Sequence, residues 1–256
     1  MAVEPLLVVW YHYYMLYIII PTYNEAENIA KLVKAIISQP LPPVKILIVD
    51  DNSPDGTGKI ADDLAKQHPQ TVKVLHRPGK LGIGSAYITG FKMALADGAE
   101  FIMEMDADFS HDPADVPRLV AEVKSGFDFV IGSRRVEGGQ IIGWGPGRKL
   151  MSRGAMDFSR IILGLKTKDV TAGFRCFSRD FLLRLPLDKI NSNGYSFQEE
   201  LIFYAERMGA NIKEVPVTFL DRRFGKSKLS MGEVIKFFYN ILRLKWLDWQ
   251  RKNERK

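Results

Sequence analysis

The first groups with chemical potential are carboxylates at close spacing: Asp50 beside Asp51, and Asp106 two residues before Asp108. Helix capping accounts for the neighbouring Asn24 and for Asp55 or Thr57, each at the start of a helical pattern. It does not account for paired acids. Like charges so close repel, and a bound cation is the usual remedy. Oxygen ligands favour Mg²⁺ or Mn²⁺, and both ions are partners of a diphosphate. For Asp106 and Asp108 this chemistry explains more than capping does.

The cations lie further along. Gly132-Ser133-Arg134-Arg135 closes an apolar run, and the stretch 137–147 holds five glycines with Trp144 and Pro146 before Arg148, Lys149 and Arg153. Two readings stand side by side here. One is a mobile loop with an exposed tryptophan, its arginines gripping an amphipathic, phosphate-bearing substrate. The other is a surface loop with solvated arginines. Asn193 to Glu200 opens another helical pattern, where Glu199 and Glu200 suit a helix N-terminus. Asp221 to Lys228 is a basic turn ahead of the last helix. No Ser-His-Asp or Cys-His set is evident.

These groups need a frame. Apolar, β-rich runs fall at 17–20, 44–49, 71–75, 100–105 and 127–131, with helical patterns over 25–38, 57–67, 85–96 and 113–124 between them. That alternation predicts right-handed βαβ units and a Rossmann-like α/β fold, its mainly parallel sheet flanked by helices. Ligands of such sheets sit beyond the C-terminal strand ends, where the acidic loops fall. Gly82-x-Gly84 is only a partial dinucleotide motif, because Tyr87 stands at the third glycine position. A tight turn feeding a helix competes there with a phosphate cradle.

With 256 residues, 46% hydrophobic and 26% charged, the composition is ordinary for a globular chain and excludes a disordered or fibrous one. The single cysteine, Cys176, excludes an intramolecular disulfide and a cysteine zinc cluster. Residues from Asp221 onward carry 11 basic and 4 acidic side chains, whereas the first 220 carry 25 and 26. A neutral body with a basic end argues against a nucleic-acid partner and for anionic lipid or phosphate.

The longest uncharged run, Pro5 to Tyr23, has an apolar core of 15 residues, short of the roughly 20 that span a bilayer. It also lacks the basic start of a signal peptide. Residues 1–15 read as an extension ahead of a domain over 16–230. The segment 231–256 reads as a basic amphipathic helix, with polar residues at 233, 236, 240, 243 and 250 against a broad apolar face. Such a face suits a membrane surface or a partner groove, with docking onto its own domain as the alternative.

The string Ile18-Ile19-Ile20-Pro21-Thr22-Tyr23-Asn24-Glu25 resembles the opening of family 2 glycosyltransferases of GT-A fold. Asp50-Asp51-Asn52-Ser53-Pro54-Asp55-Gly56-Thr57, Met105-Asp106-Ala107-Asp108-Phe109-Ser110-His111 and Gly132-Ser133-Arg134 narrow the resemblance to the dolichol-phosphate (polyprenol-phosphate) mannose synthases. Thr171-Ala172-Gly173-Phe174-Arg175, Gly194-Tyr195-Ser196-Phe197-Gln198 and Gly225-Lys226-Ser227-Lys228-Leu229 extend it, so that it covers about residues 16 to 240.

The resemblance implies GDP-mannose as donor, a polyprenyl (dolichyl-type) phosphate as acceptor, and Mg²⁺ or Mn²⁺ as cofactor. Pro21, Tyr23, Glu25 and Asp51 would hold the nucleoside. Asp106, Ala107 and Asp108 would hold the diphosphate, with Asp108 and Ser110 at the metal and Asp106 as a further metal candidate. Arg134, Arg148 and Ser152 would bind the lipid phosphate. Arg134, Arg222 and Lys228 would also face the donor, which makes Asp108, Arg134, Arg222 and Lys228 the implied catalytic set. Two departures stand out: Lys226 replaces the glutamate common in the family, and the C-terminal transmembrane helices of some members are not seen. A peripheral enzyme on the cytoplasmic face of a membrane is implied, with room for small membrane-anchoring subunits.

A phosphate monoester has a second pKa of about 6, so the acceptor is already largely a dianion near neutrality. A single in-line displacement would invert the sugar. It needs orientation and neutralisation of the leaving diphosphate, not a base. Three other readings remain: glucose or aminosugar transfer to the same lipid phosphate, a nucleotide-binding oxidoreductase disfavoured by Tyr87, and a catalytically silent membrane adaptor.

Overall fold

Alternate side chains of the first strand enter two different cores, and that alternation organises the molecule. The structure, a computed structural model, describes residues 14–192, 194–221 and 231–253. In β1 (Leu16–Thr22), Tyr17 and Ile19 point to one core while Leu16, Ile18 and Ile20 point to the other, all fully buried. Burial on both faces is what a continuous apolar run in a parallel sheet requires.

Around β1 lie β2 (Val44–Asp50), β3 (Val72–His76), β4 (Phe101–Glu104), β5 (Phe129–Ser133), β7 (Arg175–Ser178) and β8 (Ile212–Pro216), in the order β3-β2-β1-β4-β7-β5-β8. Only β7 runs antiparallel to its neighbours, β4 and β5. A second, two-stranded sheet pairs β6 (Gln140–Ile142) with β9 (Thr218–Leu220). One face of the main sheet is covered by α1 (Ile29–Ile37), α2 (Thr57–Gln67) and α4 (Val116–Lys124). The other is covered by α3 (Ile83–Ala96), α5 (Pro146–Leu163), α6 (Arg179–Arg184), α7 (Tyr195–Arg207) and α8 (Met231–Asn253). The expected mainly parallel α/β sheet is therefore present.

Local expectations fail in instructive places. The first helix starts at Ile29, not at residue 25. The N–H groups of Glu25 and Ala26 donate instead to Thr57 Oγ1 (2.9 Å) and Asp55 Oδ2 (3.1 Å), so the loop after β2 satisfies them. Asn24 caps no helix; it adopts a φ of 60° and its N–H donates to Ser53 Oγ. Thr57 is the first residue of α2, behind Gly56 at φ 91°. The glycine-rich stretch is not wholly a loop, since β6 ties down its middle.

The last helix docks on its own domain. Phe237, Ile241 and Leu244 are buried in the larger core. Arg243 Nη2 lies 2.8 Å from Glu200, and Asp248 lies 2.8 Å from Arg207 Nε. The expected polar stripe is thus not simply a solvent face, because Arg243 turns inward. What α8 exposes is Ile235, Phe238, Tyr239, Leu242, Trp246 and Trp249. These recur at i, i+3, i+4, i+7, i+11 and i+14, a single helical face. Arg222 and Lys228 lie outside the described residues, as does most of the expected N-terminal extension.

Candidate active site

The loops at the C-terminal ends of β1, β2, β4 and β5 gather the polar side chains, as the sheet topology requires. At the end of β2 the paired carboxylates are compensated from within the protein. Buried Asp50 accepts from Thr22 Oγ1 (3.0 Å), Ser53 N (3.1 Å) and Ser53 Oγ (2.6 Å). Asp51 is ion-paired with Arg77 and accepts from Gly82 N at 3.2 Å. The cation that this pair calls for is Arg77, which also bonds Ser85 Oγ and Gly82 O. Gly82-x-Gly84 accordingly serves as a turn into α3, with Gly82 at φ 97°. Beside it, Lys80 sits over the Tyr23 ring at 4.4 Å, Pro21 is the penultimate residue of β1, and Glu25 accepts from Asn28 Nδ2 at 2.9 Å.

The second acidic pair is arranged differently. Asp108 and Ala107 are buried, and Ser110 N donates to Asp108 Oδ1 at 3.0 Å. Asp106, one third exposed, receives the Tyr87 hydroxyl at 3.4 Å and faces His111 Nε2 at 3.4 Å. Gly173 packs close enough that a Cβ would stand 3.3 Å from its carboxylate. Among the described residues, Ser110 Oγ and His111 Nδ1 are buried without a hydrogen-bond partner. These oxygens are the hard donors that Mg²⁺ or Mn²⁺ prefers. Among the described residues no three His, Cys, Asp or Glu side chains converge to hold an ion. A cation here would therefore complete its shell from the ligand.

Beneath this loop lies a buried polar layer. Burial pushes the Glu104 carboxyl up to about 7, despite the Arg175 charge and a 2.9 Å bond from Gln198 Nε2. Arg175, fully buried, donates to Gln198 O and Val170 O and is lowered to about 10 by burial. Glu199 and Glu200 do not serve the start of α7. Glu199 accepts from Ser159 Oγ at 2.6 Å, and Glu200 accepts from Ser192 N and pairs with Arg243.

The basic residues occupy the far side. Arg134 closes on fully buried Asp169 through Nε and Nη2 and reaches Thr171 Oγ1 at 2.8 Å. Arg148 Nη1 meets both Asp221 oxygens, at 3.1 and 3.0 Å, and its guanidinium stacks 4.1 Å over Trp144. Trp144 is half-buried, not exposed, and Nε1 donates to Asp221 Oδ1 at 3.2 Å. Ser152 follows Arg148 by one turn of α5. A single ring links both sides: Phe219 of β9 touches His111 (5.6 Å), Arg134 (5.1 Å) and Trp144 (5.5 Å).

Residues 17–185 match the model of glycosyl transferase family 2. The chain belongs to that family. It is 46% identical, over 88% of its length and 91% of the relative, to an undecaprenyl-phosphate mannosyltransferase of Micrococcus luteus. It is 42% identical, over 88% and 84%, to a polyprenol monophosphomannose synthase of Mycolicibacterium smegmatis. The fold is similar to that of glucosyl-3-phosphoglycerate synthase from Mycobacterium tuberculosis, solved with Mn²⁺, UDP-glucose and phosphoglyceric acid. That likeness has a TM-score of 0.64 at 20% identity and covers 90% of this chain and 79% of the other. Mannosyl-3-phosphoglycerate synthase from Rubrobacter xylanophilus gives 0.64 at 17%, covering 94% and 75%.

In this glycosyl transferase the acidic loops and Arg148 are visible as motifs in the sequence, whereas Arg77, Asp169, Phe219 and Asp221 are not visible there as their partners. Each reaches a group at least 26 and as many as 108 positions away. No local pattern announces such a contact. His111 ends the acidic motif that begins at Met105, and its burial is the signal that only the fold supplies.

Proposed function

We propose that the chain transfers mannose from GDP-mannose to a polyprenyl phosphate in one displacement that inverts the anomeric carbon. The observation that carries this reading is the Phe219 ring, which joins the Asp106 side of the site, through His111, to Arg134 and to the Trp144–Arg148 pair. A donor diphosphate at Asp106 and Asp108 and an acceptor phosphate at Arg148 and Ser152 would then be neighbours. The names of the relatives support mannose and a polyprenyl phosphate as the transferred group and acceptor.

Asp108, Ser110 and Asp106 would hold a divalent cation, which when bound offsets the charge of the leaving nucleoside diphosphate. Arg148 and Ser152 orient the acceptor dianion. Arg134 keeps the strand end and the 169–171 segment in register beside it. Arg222 and Lys228, outside the described residues, are assigned to the leaving diphosphate, and Pro21, Tyr23, Glu25 and Asp51 to the nucleoside. No residue has to remove a proton, because the acceptor phosphate is already largely a dianion near neutrality.

The enzyme rests peripherally on the cytoplasmic face of a membrane. No described helix is long and apolar enough to cross one, yet the open face of α8 is aromatic and apolar. On α5, Leu150, Met151 and Ile161 are also exposed, and Phe158 joins the two helices through Phe238 at 5.1 Å. Apolar and aromatic side chains beside Lys and Arg suit the lipid boundary.

The test is incubation with labelled GDP-mannose, Mg²⁺ and undecaprenyl phosphate, followed by lipid extraction. Labelled, acid-labile lipid is the expected product. Labelling from UDP-glucose and not from GDP-mannose would overturn the donor assignment.

A further inference from the structure

We infer that Asp221 is a positioning residue that sets the guanidinium of Arg148 with one edge turned outward for the acceptor phosphate. The inference rests on the reading of Arg148 as an acceptor ligand. Asp221 engages Arg148 through Nη1 alone. Neither Nε nor Nη2 of Arg148 bonds a described residue, and the side chain remains 38% exposed. Trp144 supports the flat face of the same group at 4.1 Å, and Asp221 Oδ1 fixes the indole through Nε1. Two constraints, one in the plane and one across it, leave the Nε–Nη2 edge as a fork for a bidentate anion.

The backbone holds Asp221 in turn. Asp221 N donates to Ile142 O at 2.9 Å, extending the β6–β9 pairing by one residue. Gly143 follows at φ 92°, and a Cβ there would stand 2.8 Å from Asp221 Cβ. The anchor is therefore fixed by the small sheet and not by side-chain chance. Ordering a long side chain before binding removes an entropic cost that the acceptor would otherwise meet.

The carboxylate also places a negative charge near an incoming phosphate, so the opposite role, competition, is the reading to be beaten. Kinetics decide between them. With undecaprenyl phosphate in detergent, Asp221→Ala should raise the acceptor KM about tenfold, with kcat and GDP-mannose affinity by calorimetry moving far less. Asp221→Asn, which keeps an oxygen for Trp144 and Arg148, should recover most of that loss. In an Arg148→Ala background, Asp221→Ala should add nothing. Gly143→Ala, which crowds Asp221 without deleting it, should raise the same KM.

An acceptor KM that falls in Asp221→Ala or Asp221→Asn establishes competition and overturns the inference. Additive losses in the double variant, or a collapse of GDP-mannose binding, overturn it too. Arg148→Ala alone separates the layers. If it leaves the acceptor KM unchanged, the acceptor reading fails and positioning falls with it. If it raises KM while Asp221→Ala does not, only the positioning role is wrong.

Discussion

Asp169 lies fully buried beneath Arg134, whose Nε and Nη2 reach its two oxygens at 2.8 and 2.6 Å while its backbone N–H adds a third bond at 2.8 Å. Burial opposes ionisation of Asp169, but the Arg134 charge and hydrogen bonds outweigh it and hold the carboxyl below its usual range. The geometry makes Arg134 a structural cation as well as a candidate ligand.

Arg134→Ala strands that buried charge and should cost about 3–5 kcal/mol of stability, measured by urea unfolding near neutral pH. Because the folded pKa of Asp169 is depressed, the pair stabilises above the ordinary carboxylate value and loses effect as pH falls through the lowered one. The gap between parent and variant should narrow in acid. Lost transfer with unchanged stability would assign Arg134 to ligand binding alone.

Glu199 titrates in the opposite sense. Burial pushes it up to about 8 against the Ser159 hydrogen bond and the Arg175 charge. A raised carboxyl contributes stability that is complete below the unfolded glutamate value and is lost as pH rises toward the folded one. Glu199→Gln should therefore melt above the parent at high pH and lose that advantage in mild acid. Each kcal/mol is worth about 2–4 °C at this size. Parallel melting curves for the two proteins across that range would refute the assignment.

With no third acidic or histidine ligand among the described residues, the proposed cation site at Asp106 and Asp108 would be weak until phosphate oxygens arrive. Mn²⁺ followed by electron paramagnetic resonance should bind at least about tenfold more tightly with GDP-mannose present. Asp108→Ala should remove that enhancement and abolish transfer, and EDTA should abolish transfer reversibly. Equal Mn²⁺ affinity with and without the nucleotide sugar would sink the proposal.

The outer face of α8 predicts vesicle binding that depends on Trp246 and Trp249. Deleting the helix is a poor test, since Ile241 and Leu244 are part of the core. Replacing both tryptophans by alanine should weaken co-sedimentation with anionic vesicles by about tenfold or more per side chain, without lowering the melting temperature. Added salt should weaken the parent as well. Unaltered binding by the double variant would leave the face without a lipid role.

The sheet is largely legible because β1, β2, β4 and β5 are apolar on both faces and read as unbroken runs. The acidic loops follow at their ends by topology. Strand β7 escapes the sequence because Arg175-Cys176-Phe177-Ser178 is only four residues long, with a buried cation at its start. Its pairing partners lie dozens of residues earlier. The partners of Arg134 and Arg148 escape for a related reason: Asp169 and Asp221 are single acids whose meaning depends on which strand ends meet. Asn24 misleads because its loop obtains hydrogen bonds from Ser53, Asp55 and Thr57 in place of a helix.

Leu150 and Met151, 72% and 66% exposed, follow Arg148 within the same turn of α5. If Arg148 holds the acceptor phosphate as proposed, side chains suited to acyl chains stand within a turn of it, and encounter would become a search in two dimensions. Turnover should then follow the mole fraction of acceptor in the bilayer, not its concentration in the bulk. Diluting vesicles with inert lipid would slow the enzyme even when the total amount of polyprenyl phosphate is constant. The mannosylated product would diffuse away sideways, without ever leaving the leaflet.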